Sequence, residues 1–189
     1  MVVDDDLGTI GAAIVGRGEN PREWYGRELL ADGSVAYGFR GPLVRSIYFR
    51  LTRLAGSEAT VVTSDGVSET VPAARGLRLA IDSARDDEIG FARVYEVVRG
   101  ASLRVRTAPG AAVVARYEWR SDAGRSRTHE QSAVADAAGE AVLSLPYSSD
   151  RPDLGHASAW RIAAAGATRE LRVSDEDVRA GNERTVTLP

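Results

Sequence analysis

Two side chains in this 189-residue chain could exchange a proton near neutral pH, His129 and His156. Nucleophilic catalysis would need a hydroxyl or thiol held against one of them. There is no Cys, which excludes thiolate attack, disulfides and Cys-ligated zinc and leaves Ser126 or Ser158 as partners. Both imidazoles lie in polar stretches, RTHEQS and DLGHAS, that read as exposed loops. Asp4, Asp5 and Asp6 could ligate a hard cation, but successive strand residues point to alternating faces, so the three do not converge. Asp86, Asp87 and Glu88 read as a solvated linker. No GxSxG, HExxH or glycine-rich phosphate cradle is present. Taken alone, the residues give no catalytic constellation and no metal site.

The elements that would have to position any site follow from composition and period. An apolar content of 43% suffices for an ordinary core. The net charge is −3, with every positive charge an Arg, so there is no basic field for a nucleic acid backbone. The longest apolar runs are a few residues, and the acidic Met1–Leu7 start is the reverse of a signal peptide; the chain reads as soluble as given. Val2 and Val3 read as a strand with nothing ahead of it, an expectation that the chain starts inside a larger fold. Leu7, Ile10 and Ile14, among glycines, suggest a helical turn or glycine-rich loop.

Asn20, Pro21 and Glu23 form a helix-start signal, predicting a helix to about Leu30 that buries Trp24, Leu29 and Leu30 and stops at ADGS. Leu43, Val44, Ile47, Tyr48, Leu51 and Leu54 predict a second amphipathic helix, closed by Gly56. Beyond Gly56 the period becomes two. ATVVTS, LRLAI, ARVYEVV, ASLRVR, AVVARYEW, AVLSLPY, SAWRIA, ELRV and RTVTL read as short strands, and the alternation puts Ala141, Leu143 and Leu145 on one face. SDEDVRAGN predicts a one-turn helix capped by Ser174, with Asp177 three residues on. The polar stretch DSARDDEIG marks a division. The expected fold is α+β: a mixed α/β unit over residues 1–88, with a short sheet and two amphipathic helices, then an antiparallel β-sandwich over 89–189.

Four stretches in order, VVDDDLGTIGAAIVGRGENPREWYG, GPLVRSIYFRLTRLAGSEA, LRLAIDS and ARVYEVVRGASLRV, resemble the C-terminal extracytoplasmic region of the archaeal-type oligosaccharyltransferase catalytic subunit. The ADAAGEAVLSLPYS hairpin is similar to an element of that family's β-rich peripheral domain. The resemblance implies a part in asparagine-linked glycosylation, in which an oligosaccharide passes from a lipid-linked donor to the Asn of an Asn-x-Ser/Thr acceptor. It implies that catalysis and a divalent metal (Mn or Mg) reside in a multi-span membrane domain that this chain lacks. The chain itself would carry no cofactor, and would act at the extracytoplasmic face as an acceptor-side scaffold, inactive in isolation.

The family's Trp-Trp-Asp-Tyr-Gly motif, which grips the acceptor hydroxyl, is absent. In EWYG, Glu23 replaces the first Trp and no residue separates Trp24 from Tyr25, so Trp24 reads as an anchor for its helix. A second part of the acceptor pocket comes, in some members, from apolar residues spaced three and then four apart. Leu7, Ile10 and Ile14 reproduce that spacing, with Leu in place of Met and without the family's Lys; any buried helix face shows the same pattern. The competing reading is a binding module that presents SSDRPDLGHAS, with Tyr147, His156 and Trp160 as contacts, and requires those side chains to be exposed.

Overall fold

A computed structural model describes residues 2–4, 14–29, 31, 35–82, 92–121 and 124–189. Strand β1 (Val2–Asp4) pairs antiparallel with residues 92–94, as its valines predict. Asn20 caps as expected, its side chain accepting from Arg22 N at 3.1 Å with Pro21 following, but the helix is only a 3-10 turn, Pro21–Glu23. The predicted continuation to Leu30 does not form. The chain instead enters β2 (Tyr25–Leu29), which pairs with β3 (Val35–Phe39) so that Tyr25 faces Phe39 and Gly26 faces Gly38. Gly26 would cost a helix interior about 1 kcal/mol relative to Ala, whereas an aromatic pair across two strands is stabilising.

The second predicted helix is two: α1 (Gly41–Val44) and α2 (Ile47–Thr52). Ser46 makes the break. Its backbone is extended, and its hydroxyl accepts from Phe49 N at 3.1 Å while donating to Leu43 O at 2.6 Å. The break rotates the second half, leaving Ile47 exposed and burying Phe49. Hairpin β4 (Ala59–Val62) and β5 (Ser68–Val71) follows. Leu43, Val44, Phe49 and Val71 form a small core, against which the half-buried Trp24, Tyr25, Phe39 and Tyr48 pack.

Strands β6 (Leu77–Asp82) and β7 (Ala92–Val97) pair antiparallel, giving a three-stranded sheet in the order β1-β7-β6. The division expected between residues 88 and 89 falls outside the described residues, and the strands on its two sides are partners in this sheet.

The rest is β8 (Ala101–Arg106), β9 (Ala112–Arg120), β10 (Ser126–Val134), β11 (Glu140–Leu145), β12 (Trp160–Ala164), β13 (Ala167–Leu171), α3 (Asp175–Ala180) and β14 (Glu183–Thr187). One sheet runs β10-β9-β12-β13 and the other β11-β8-β14. Alternation sends Leu103, Val105, Ala115, Tyr117, Leu143, Leu145, Trp160 and Ile162 from both sheets into one buried cluster that also takes in Leu51, Leu79 and Tyr95. Ala141 is buried with Leu143 and Leu145 while Val142 is exposed, as predicted. Strand β14 pairs with β8 in parallel, which departs from the wholly antiparallel expectation. Parallel neighbours need a crossover, and α3 lies on the returning chain. Its predicted capping box is present, with Ser174 accepting from Asp177 N and Asp177 from Ser174 N.

Strand β10 ends its sheet, and edge groups left unpaired would template association. Residues 57–58 cover this edge. Glu58 N donates to Glu130 O at 2.8 Å, Ser57 Oγ accepts from Glu130 N at 2.8 Å, and the Glu58 carboxylate accepts from Ser132 N at 3.0 Å. The chain is mostly β, with a few short helices and several antiparallel sheets. Among the described residues, no helix is long and apolar enough to cross a membrane.

Candidate functional site

Of the apolar trio, Ile14 is buried and helical, and its carbonyl accepts from Arg17 N at 3.1 Å and Glu19 N at 3.2 Å. Leu7 and Ile10, with Asp5 and Asp6, lie outside the described residues. What the structure describes is the support on either side of those positions in the sequence, β1 before them and Ile14 after them.

The support is locked by a buried ionic cluster. Arg93 sits opposite Val3 in the β7–β1 register. Its Nε donates to Asp82 Oδ1 at 3.0 Å, and its Nη1 donates to the last carbonyls of α2, Leu51 O at 3.1 Å and Thr52 O. Tyr95 OH donates to Leu51 O at 2.7 Å. Arg127 of β10 donates to the other Asp82 oxygen, through Nε at 2.7 Å and also through its terminal nitrogen. One carboxylate thus joins β6, β7 and β10, and Arg93 adds the C-terminal end of α2, where the helix dipole favours a cation.

Burial alone would raise the Asp82 pKa, but the hydrogen bonds from Arg93 and Arg127 prevail and hold it below the ordinary carboxylate range. Burial raises the pKa of the Tyr95 phenol. Neither group is poised for proton transfer at neutral pH, so the cluster positions elements rather than performing acid–base chemistry. The Asp82 oxygens are occupied by guanidinium groups, and among the described residues no three His, Asp or Glu side chains converge as metal ligands.

A second ionic cluster ties α3 to the sheet. The fully buried Arg78 donates to Glu96 and Asp175, each at 2.6 Å, and Arg179 pairs with both carboxylates. Desolvation would raise the Asp175 pKa, but hydrogen bonds from Arg179 and Arg78 lower it to about 2.

The histidines are not exposed loop residues. His129 lies within β10 and His156 pairs in a bridge with Arg151; both are buried against the rings of Tyr147 and the surrounding aromatics. Tyr117 and Tyr147 stack with centroids 5.4 Å apart, and Trp119 lies 4.5 Å from Tyr147. Burial pushes the His129 pKa down to about 3, so it is neutral at physiological pH. Trp160 Nε1 donates to Tyr147 O at 2.8 Å, and Tyr147 OH accepts from Leu79 N at 3.1 Å. Tyr147, His156 and Trp160 are all fully buried, which removes the reading that they contact a partner. It equally leaves no open cleft around either imidazole for hydrolysis. Trp24 anchors the small core, not a long helix.

Sequence reasoning missed Asp82, Arg93, Arg127 and Arg78. The signal was present in charged residues at inward positions of alternating strands, which must be paired when buried. Strand β10 was missed for the same reason, because its inward residues include His129 and Gln131. The Gln131 amide bonds both ways with the Ser144 backbone of β11, accepting from its N–H at 3.3 Å and donating to its carbonyl.

Residues 100–183 match the family model of the archaeal glycosylation protein B long peripheral domain. This segment is similar to that domain family. The wider fold is shared with solved oligosaccharyltransferase structures from Archaeoglobus fulgidus. A complex with Zn and sulfate is 14% identical with a TM-score of 0.72, covering 99% of this chain and 33% of that one. A complex with an inhibitory peptide and a dolichol-phosphate is 13% identical with a TM-score of 0.73, covering 99% and 30%. A third, tethered to an acceptor peptide containing an NVT sequon, is 13% identical with a TM-score of 0.71, covering 99% and 31%. No curated protein matches the chain. The chain therefore spans about a third of the length of these structures, and the matched segment is continuous with the β1-β7-β6 support through Tyr95 and Leu79 in the common core.

Proposed function

We propose that this chain is the C-terminal extracytoplasmic portion of an oligosaccharyltransferase for asparagine-linked glycosylation, an acceptor-side scaffold whose chemistry resides in a membrane domain outside this sequence. The observation that carries the reading is the peripheral-domain match over residues 100–183, joined to a fold shared along 99% of the chain with oligosaccharyltransferase structures. The relatives bound to an acceptor peptide and a dolichol-phosphate support an Asn-x-Ser/Thr protein and a lipid-linked oligosaccharide as partners of the assembled enzyme. The divalent metal, Mn or Mg, belongs in this reading to the membrane domain.

Within the chain, the fold is read as a mixed α/β unit followed by a β-sandwich. Leu7, Ile10 and Ile14 are read as an apolar wall for the acceptor hydroxyamino acid, mounted between β1 and the buried Ile14. The Asp82–Arg93–Arg127 cluster supports this reading by giving the mount a rigid base.

The purified chain, mixed with lipid-linked oligosaccharide, Mn and a sequon peptide, is expected to form no glycopeptide. The same chain joined to a membrane domain carrying the Trp-Trp-Asp-Tyr-Gly motif is expected to form it, and an Ile10→Asp substitution there should raise KM for the peptide more than it lowers kcat. Turnover by the isolated chain would overturn the assignment of catalysis elsewhere.

A further inference from the structure

The outer face of the β10-β9-β12-β13 sheet carries a group of exposed arginines. Arg116 of β9 and Arg161 of β12 are directly opposite one another, with Glu130 across from Arg116 and Glu170 across from Arg161. Like charges facing each other across a ladder repel. Arg116 is engaged, its Nε 2.8 Å from Glu118 Oε1 and a terminal nitrogen 3.8 Å from Glu130 Oε2. Arg161 and Arg172 form no ion pair among the described residues. Elsewhere the arginines are held: Arg78, Arg93, Arg104 and Arg184 each donate to carboxylates.

Arg116, Arg161, Arg172 and Ser158 line a depression of about 320 Å³ together with Glu118 and Glu170, so three guanidinium groups meet two carboxylates and the lining is net positive. A guanidinium presents a planar fork of donors that matches two oxygens of one tetrahedral anion. We propose that this depression binds a phosphate- or sulfate-type oxyanion, with Arg161 and Arg172 as the principal donors and the Ser158 hydroxyl as a third. The bound charge would relieve the repulsion between Arg116 and Arg161. The depression is larger than the anion alone, leaving room for an ester substituent, so the group could come from a free phosphate or a lipid headgroup.

The test is a titration of the isotope-labelled full chain with inorganic phosphate at low salt, reading the amide resonances of Ser158, Arg161 and Arg172. It is paired with sedimentation on vesicles of anionic phosphodiester lipid against neutral vesicles. Saturable shifts at those amides, about tenfold weaker in Arg161→Gln and abolished when Arg172→Gln is added, support the site with a free anion. No response to phosphate, but vesicle binding that the double variant loses, supports it with a headgroup as the source. Arg169→Gln is the charge control: Arg169 lies opposite Ile162, on the other face of the sheet, and its loss should leave both responses unchanged. Absence of both responses, or equal weakening by Arg169→Gln, overturns the proposal. All three arginines are exposed, and an unchanged amide spectrum elsewhere would establish that each variant keeps its fold.

Discussion

Trp160 and Trp24 stand in cores built on different terms. Trp160 is fully buried among Tyr117, Tyr147 and His129, inside a cluster to which both large sheets contribute. Trp24 is half-buried at the rim of a core whose fully buried members are Leu43, Val44, Phe49 and Val71, between two hairpins and two short helices. Apolar burial contributes roughly 25 cal/mol per Å², so the first region can hold its shape by packing. The second has less apolar area to bury and relies on directed bonds: the Ser46 cap, the Ser57 and Glu58 cover on β10, and the Asp82–Arg93–Arg127 cluster that fixes α2 to the sheet. The C-terminal sheets are thus held chiefly by packing, whereas the N-terminal region combines the apolar contacts of Leu51, Leu79 and Tyr95 in the common core with these polar links.

The largest expected effect is on the packed side. Trp160→Ala should lose about 3–5 kcal/mol in urea unfolding, whereas Trp24→Ala, at the rim, should lose less than half as much. Equal losses would erase the distinction between the two cores.

Acid sharpens it next. His129 is neutral in the fold with a pKa of about 3, below its unfolded value near 6.5, so the unfolded chain binds the extra proton between these limits. Its contribution to stability is fully present above about pH 6.5 and is lost as pH falls toward 3, by up to about 1.4 kcal/mol per pH unit. The lowered pKa of Asp82 acts elsewhere on the scale, because its contribution declines only as pH falls below the unfolded carboxylate value near 3.9. Unfolding measured from pH 7 to 4.5 should therefore slope in the native chain and flatten in His129→Gln. An unchanged slope in the variant would assign the effect to another group.

The smallest effect belongs to the N-terminal region. Ser46→Ala removes the cap between α1 and α2 and should cost about 1 kcal/mol, with faster amide exchange confined to residues 47–52. Exchange spreading through β8 and β11 would mean that the two regions unfold as one.

How much could be read in advance differs between the same two regions. Where strands alternate apolar and polar residues, as in Ala141–Leu145 or Ala112–Trp119, period alone gives both the element and its buried face. The Ser174 and Asp177 capping box is as direct, since a cap is a contact between near neighbours in sequence. In Asn20–Leu30 the start signal was genuine, yet only its first turn formed, because whether Tyr25–Leu29 continues as helix or pairs as strand depends on β3. His129 and His156 looked like loop residues because they are polar; only the rings of Tyr117, Tyr147, Trp119 and Trp160, drawn from other strands, make them core.

Of the candidate acceptor wall, the sequence supplied a spacing, and the structure describes its last member, Ile14, as buried. By itself the sequence determined local matters: the strand period, the caps, the absence of thiol chemistry and the family likeness. Tertiary structure decided which charges would be buried together, the parallel return of β14 beside β8, and the opposition of Arg116 and Arg161 on one face. The physical reason is range. Periodicity and capping act over a few residues, whereas the neutralisation of Asp82 by Arg93 and Arg127 spans 45 positions and exists only once the sheets have met.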